Sequence, residues 1–365
     1  MDKKPKLLLV GSKWNHMGGH SGLSPLASAL SSYFAVDRVE PTRFDRVHAL
    51  VRRCVSMVRK LAGLKVAAPW TPFYHTDHAL MEAAAIRRAK REPFDWIAIE
   101  SLEDVYVRFD QMRDHLPPHS RIMAISHQPP AWWKLFVTNT KDLGRLDAVI
   151  ALSADAQRYL SNALNKPVHF LRHGVDHAFF HPPAKRSLQP SETVHILFCG
   201  QWLRDFDTLA DIVAKTQAAG IDAIFHLVVP KATRDGSSRY RLAYQANTRW
   251  YAGISDDALL NLYHSCHFLV LPLIDATANN SVVEAMSCAL PILVSPVGGV
   301  PDYVDDDIAT FLHQDVNIAV ATLKSCIDNY ADCLLKSARA RERVCQSVNW
   351  QQFASGVHQL ATGGE

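Results

Sequence analysis

The stretch Phe268–Val304, FLVLPLIDATANNSVVEAMSCALPILVSPVGGVPDYV, decides how this chain is read. It opens with an unbroken apolar run, Phe268–Leu271, closed by Pro272. A polar loop carrying Asp275, Thr277, Asn279 and Asn280 follows, and Ser281 is expected to open a short helix through Val282, Val283, Glu284, Ala285 and Met286. A second run, Ile292–Val294, ends in Ser295-Pro296-Val297-Gly298-Gly299. Apolar runs without alternation belong to strands buried on both faces, as in parallel sheets covered by helices. Two loops leaving adjacent parallel strands form the crevice in which open α/β sheets bind ligands. Backbone N–H groups at Asn280–Val282 can meet phosphate oxygens at a helix N-terminus. Glu284, expected in the first turn, can accept two hydroxyls of a vicinal diol. Gly298 and Gly299 leave room beside the backbone. The ordered combination predicts a site for a nucleoside diphosphate.

The same grammar runs outward in both directions. Further strand candidates are Leu7–Val10, Trp96–Ile99, Ile122–Ile125, Ala148–Ala151, Val194–Phe198 and Ala223–Val229, many followed by a turn and a segment of helical spacing. Repeated βαβ units predict an α/β protein rather than a barrel of amphipathic strands. Ser24-Pro25, Ser153 and Ser255 are expected helix starts, with acidic residues behind Ser153 and Ser255 to favour the first turn. The polar, Pro-rich stretch His181–Thr193 divides the chain almost in half. Two domains are therefore expected, 1–180 and 194–345, with 346–365 crossing back to the first.

Composition removes several function classes. With 365 residues, 48% apolar and 21% charged, the chain is neither disordered nor fibrous. A net charge of +3 gives no electrostatic footprint for nucleic acid. The first apolar run is cut by Gly11 and Ser12, too early for a signal peptide or a bilayer span. Seven dispersed Cys without a CxxC pair fit reduced thiols and a cytoplasmic protein. Asp305-Asp306-Asp307 reads as a surface turn, and His75 with His78 lacks a third ligand, so no metal and no cofactor are expected.

At this point a resemblance enters. Glu284-Ala285-Met286-Ser287-Cys288-Ala289-Leu290-Pro291, with the sequel Ser295–Pro301, resembles the nucleotide-sugar region of retaining glycosyltransferases of the GT-B fold, especially family 4. His173-Gly174-Val175-Asp176 with Phe179-Phe180 resembles the end of that family's first domain, and Gly200–Leu209 resembles the loop and helix after the second domain's first strand. The resemblance implies two Rossmann-like domains facing a cleft. It also implies a metal-independent transfer, with retention, of a sugar from a nucleoside-diphosphate donor to a saccharide, lipid-linked or small-molecule hydroxyl. Glu284 would hold the donor ribose. The family's first Glu falls on Ala276, and the adjacent Asp275 is the carboxylate available to replace it. Arg204, and with it Lys231 after the strand ending at Val229, are the basic candidates for the diphosphate.

In the first half, Gly18 and Gly19 follow the first strand in a loop that matches neither a dinucleotide nor a P-loop fingerprint. The resemblance places them against the donor diphosphate; His20 reads either as an acceptor-side residue or as ordinary surface. His127 leaves the end of a strand, and the resemblance implies contact with the transferred sugar. Trp132 and Trp133 can offer an aromatic platform to an acceptor sugar or pack in the core. Basic segments 43–65 and 87–91 read either as solvated helix faces or as weak peripheral contacts with anionic lipid, placing the protein at the inner membrane face. Two alternatives stay open: a nucleotide-sugar hydrolase, epimerase or phosphorylase of the same layout, and a catalytically weak nucleotide-sugar-binding or polysaccharide-assembly protein. Oligomeric state leaves no readable signal.

Overall fold

The structure, a computed structural model, describes residues 4–11, 18–39, 47, 70–137, 139–189 and 192–363. The basic segment 43–65 lies outside these residues apart from Val47. The chain divides into two compact units. Unit 1 comprises Met1–Trp14, Leu26–Leu171 and Ala354–Glu365; unit 2 comprises Asn15–Pro25 and Arg172–Phe353.

Unit 1 holds a six-stranded parallel sheet, β1 (Lys6–Val10), β2 (Ala35–Arg38), β3 (Trp96–Ile99), β4 (Arg121–Ser126), β5 (Ala148–Ala151) and β6 (His169–Phe170), in spatial order β2-β1-β3-β4-β5-β6. Leu7 to Val10 are fully buried, as a strand covered on both faces requires. Fully burying one such side chain contributes about 1.5–3 kcal/mol relative to exposure. The core is completed by the helices Thr76–Arg91 and Ala154–Leu164, whose apolar stripes turn inward.

Unit 2 repeats the plan. Strands β7 (Val194–Cys199), β8 (Ala223–Val228), β9 (Thr248–Tyr251), β10 (Phe268–Leu271), β11 (Ile292–Val294) and β12 (Thr310–Phe311) are all parallel, in order β12-β11-β10-β7-β8-β9. The chain builds outward from β7 through β8 to β9, then restarts at β10 on the other side of β7. That reversal is a topological switch point, and the loops after β7 and β10 diverge there.

Every strand read from the sequence is present. Four strands carry no continuous apolar run and were not expected: Ala35–Arg38, His169–Phe170, Thr248–Tyr251 and Thr310–Phe311. They are the four sheet edges. An edge strand has a neighbour on one side only and is partly exposed, so burial does not force its composition. Ser153 and Ser255 cap their helices through Ala156 and Ala258 N–H, each at 3.2 Å. The helix after Ser24-Pro25 spans Leu26–Leu30, and the Ser24 hydroxyl donates to the Gly18 carbonyl at 2.8 Å.

Candidate functional site

The loop after β7 begins at Gly200, whose φ of +94° lies in the region that favours glycine. A Cβ there would also stand 2.6 Å from the Arg204 guanidinium, so the loop folds tightly enough to lay that side chain across its own backbone. Arg204 donates from Nε to the Cys199 carbonyl at 2.9 Å and from Nη1 to the Trp202 carbonyl at 2.9 Å. Its Nη2 donates to Asn279 Oδ1 and Ser281 Oγ, both at 3.2 Å. Arg204 thereby joins the end of β7 to the start of the helix Asn280–Ser287. Burial lowers its pKa to about 10, which leaves it fully charged at neutral pH.

This helix starts one residue earlier than the sequence reading placed it. Asn279 is the N-cap, and its side chain accepts the Val282 N–H, so Val282 N–H is not open to a phosphate. The N–H groups of Asn280 and Ser281, on a half-buried and a buried residue, belong to the first turn and have no partner within the helix. Glu284 is the fifth residue of the helix, at the start of the second turn; the first turn contains no acidic residue. Two arginines hold the opposite end. Arg186 donates to the carbonyls of Tyr263 (2.8 Å), Cys266 and Cys288 (3.3 Å). Arg341 reaches the carbonyls of Ser287 (3.1 Å) and Phe180 (3.1 Å). Cations there complement the helix dipole, whereas Arg204 at the N-terminus opposes it. Among the described residues no carboxylate lies within ion-pair distance of Arg204. A guanidinium and a helix N-terminus side by side are an arrangement that an anion stabilises.

Glu284 is 5% exposed and accepts a hydrogen bond from Tyr263 Oη at 2.8 Å. Burial pushes its pKa up to about 7, offset in part by Tyr263 and the nearby Ser21 hydroxyl. Tyr263 comes from the helix Asp256–Ser265, and burial raises its own pKa further. Beside them, Gly298 has a φ of +52°, and a Cβ there would meet the Ala276 carbonyl at 2.2 Å. Gly299 N–H donates to that same carbonyl at 2.8 Å. Ala276 is thus buried under the glycine turn, and Asp275 Oδ1 accepts the Ala276 N–H at 2.8 Å.

The loop around Gly18 and Gly19 belongs to unit 2. Gly19 N–H and His20 N–H both donate to Asp256 Oδ2, at 2.7 and 3.2 Å. A Cβ on Gly18 would lie 1.5 Å from Asp256 Oδ1, so a side chain there would displace that carboxylate from the Gly19 and His20 N–H groups. His20 stacks on Phe179 with centroids 3.8 Å apart, and its Nδ1 meets Asp176 Oδ2 at 2.7 Å. Asp176 Oδ1 also accepts the Phe179 N–H at 3.2 Å. The segment His173–Phe180 therefore works as a socket for His20.

Other sequence candidates lie elsewhere. His127 follows β4 in unit 1 and donates from Nε2 to the Glu100 carbonyl at 2.7 Å; burial lowers its pKa, keeping it neutral. Trp132 and Trp133 offer no open platform. Trp133 stacks on Trp70 and Trp132 on Phe73, and both indoles are buried in the unit 1 core, the second of the two readings the sequence left open. Lys231 is exposed at the start of a 3-10 turn; the basic residue anchored after β8 is Arg234, bonded to the carbonyls of Val229 and Tyr251. In the cluster 87–91, Arg88 is paired with Glu92 at 2.8 Å and Asp37 at 3.2 Å. Asp305 pairs with Arg343 at 2.8 Å. Among the described residues no group of three or more His, Cys, Asp or Glu is arranged to hold a metal ion, and no helix is long and apolar enough to cross a membrane.

The unit 2 site thus brings together Arg204, Asn280, Ser281, Glu284, Asp275, Gly298 and Gly299. Sequence reading missed Asn279, Tyr263, Asp256, Arg186 and Arg341. Asn279 had a signal, because Asn is among the strongest N-cap residues. The others act through partners far away in the chain.

Comparison with solved structures agrees over the whole chain. Sucrose-phosphate synthase from Thermosynechococcus elongatus superposes with a TM-score of 0.73 at 16% identity, covering 99% of each chain. Anabaena Alr3699/HepE, in complex with UDP and glucose, gives a TM-score of 0.69 at 13% identity over 98% of this chain and 100% of its own. The fold is GT-B. A glycosyltransferase from Rickettsia africae gives a TM-score of 0.67 at 12% identity, covering all of both chains. The family model of glycosyl transferases group 1 matches residues 193–329 of this GT-B chain, most of unit 2. The gpi3 subunit of phosphatidylinositol N-acetylglucosaminyltransferase from Schizosaccharomyces pombe is 25% identical over 131 residues, which is 36% of this chain and 29% of that protein.

Proposed function

We propose that the protein is a glycosyltransferase that moves a sugar from a nucleoside-diphosphate donor to a hydroxyl acceptor, without a metal. One observation carries the reading: a charged Arg204 seated at the N-terminus of the helix Asn280–Ser287, with no described carboxylate within ion-pair distance and only the longer-range field of Glu284 acting on it. A diphosphate there accepts from the guanidinium fork and from the N–H groups of Asn280 and Ser281. As the bond to the sugar breaks, negative charge grows on the leaving diphosphate, and donors already in place stabilise it. Glu284, once ionised, accepts the ribose hydroxyls. Asp275 lies against the Gly298-Gly299 turn, in the loop that leads into this helix. The complexes of HepE with UDP and glucose make UDP-sugars the first donors to test. The roles that the resemblance gives His127 and the Gly18-Gly19 turn, contact with transferred sugar and with diphosphate, belong to the same proposal. So do the family 4 assignment, the acceptor-side role of the first domain and a cytoplasmic location with peripheral lipid contact.

Retention follows from the resemblance. The pair His20–Asp176 favours a second stereochemical reading. Asp176 accepts from Nδ1–H, which leaves Nε2 with a lone pair able to take an acceptor proton, and a direct displacement of that kind inverts the anomeric carbon. NMR of the product anomer separates the two.

The test is a panel of nucleotide sugars scored by thermal stabilisation, then by turnover with and without acceptors. A ligand that binds only the folded state raises the melting temperature. Acceptor-dependent nucleotide release supports transfer. Release without acceptor indicates a hydrolase, and stabilisation without turnover over a broad acceptor panel indicates a binding protein.

A further inference from the structure

Away from the donor site, the helices Val316–Asp328 and Tyr330–Ser347 meet at a corner turned by Asn329. Cys326 lies in the last turn of the first helix and Cys333 is the fourth residue of the second; each is 8% exposed. Cys333 Sγ is 3.7 Å from the Cys326 carbonyl oxygen, and Cys326 Sγ is 3.9 Å from Thr310 Oγ1. Cys333 Sγ thus lies against the backbone of Cys326, which brings the two side chains together at the corner. That contact lowers the pKa of Cys326 and raises that of Cys333, and Lys336, one turn beyond Cys333, adds a positive charge that favours the Cys326 thiolate. Other described cysteines differ: burial holds Cys199, Cys266 and Cys288 protonated, and Cys345 is exposed. A low-pKa thiolate with a second thiol beside it is the arrangement of a redox-reactive pair.

We propose that Cys326 and Cys333 form a redox site that closes to an intramolecular disulfide with hydrogen peroxide as oxidant. The Cys326 thiolate attacks one peroxide oxygen, the O–O bond breaks, and the departing hydroxide is protonated to water, leaving Cys326 as a sulfenic acid. The Cys333 sulfur then attacks that sulfur; an S–S bond forms, the S–O bond breaks, and the hydroxyl leaves with the Cys333 proton as a second water. Two thiols and one peroxide give one disulfide and two waters. The bond ties the two helices at their corner, and the second of them packs against the helix Asn280–Ser287 that carries Arg204's partners. This inference is independent of the proposed function.

Peptide mapping tests it on the full reduced chain. Both cysteines lie in one tryptic peptide, Ser325–Lys336, and chymotryptic cleavage after Tyr330 separates them. After stoichiometric peroxide, the peptide is expected to lose two hydrogens and resist alkylation until dithiothreitol is added, and chymotrypsin should yield a cross-linked pair. The melting temperature should rise on oxidation and return on reduction. In Cys333→Ser, dimedone should trap a sulfenic acid at Cys326. Cys326 and Cys333 that stay alkylatable while Cys345 oxidises would overturn the proposal, as would oxidation of Cys326 to sulfinic acid with Cys333 still free.

Discussion

Replacing Arg204 by Ala removes four hydrogen bonds and one charge at once, and the two losses separate experimentally. The Cys199 and Trp202 carbonyls lose their guanidinium donor. The Cys199 carbonyl keeps the Ser281 hydroxyl as a donor and the Trp202 bond is exposed, so each loss is worth the net value of about 0.5–1.5 kcal/mol, and the variant should melt a few degrees lower while remaining folded. The ligand effect is larger in ratio. A charge-assisted hydrogen bond to phosphate is worth about 1.5–3 kcal/mol, which predicts nucleoside-diphosphate binding weakened about 10- to 150-fold. Arg204→Lys keeps the charge but loses the planar fork that reaches Asn279, Ser281 and the carbonyls of Cys199 and Trp202 together, so it should fall between the two. Isothermal titration with UDP, ADP and GDP at low and moderate salt reads the affinity, and thermal unfolding verifies that the variants are folded. Binding by a folded Arg204→Ala within twofold of the parent protein would remove Arg204 from the anion site and take the central argument with it.

Further expectations follow from the same geometry. Glu284 has a folded-state pKa near 7 against 4.5 for the free side chain, so the fold binds the extra proton. Its contribution is complete below pH 4.5 and is lost as pH rises through about 7, worth up to about 3 kcal/mol; Glu284→Gln should therefore gain stability relative to the parent between pH 5 and 8 in pH-dependent denaturation. Nucleotide affinity of the parent should rise over the same interval as the carboxylate forms, and a flat profile would count against its contact with ribose. Gly298→Ala forces a Cβ onto the Ala276 carbonyl at positive φ, and calorimetry should show a loss of at least about 1 kcal/mol together with weaker nucleotide binding. Trp133→Ala should cost about 3–5 kcal/mol in chemical denaturation, the signature of a core residue rather than of a sugar platform.

The central strands were legible because burial on both faces leaves only apolar residues, and Leu7–Val10, Ala148–Ala151 and Phe268–Leu271 show it directly. The edges escaped because Ala35–Arg38 and Thr310–Phe311 are only partly covered. At the site, Glu284 and the Gly298-Gly299 turn were singled out by local spacing, whereas Arg204 was singled out only through the family resemblance. The Asn279 cap displaced the expected helix start by one residue, because an amide cap competes with Ser at the same boundary. What spacing cannot carry is a partnership between distant residues. His20 is held by Asp176 and Phe179, and the Gly19 amide by Asp256, through contacts that no periodicity encodes. Trp132 and Trp133 show the converse limit: an aromatic pair looks the same in sequence whether its faces are open or, as here, covered by Phe73 and Trp70.

A crystal structure of the full chain soaked with UDP tests the central claim most directly. The account predicts phosphate oxygens within hydrogen-bonding distance of the Arg204 guanidinium and the Ser281 N–H, with ribose hydroxyls on Glu284. Nucleotide bound at any other place, with Arg204 still closed onto Asn279 and Ser281, would contradict it.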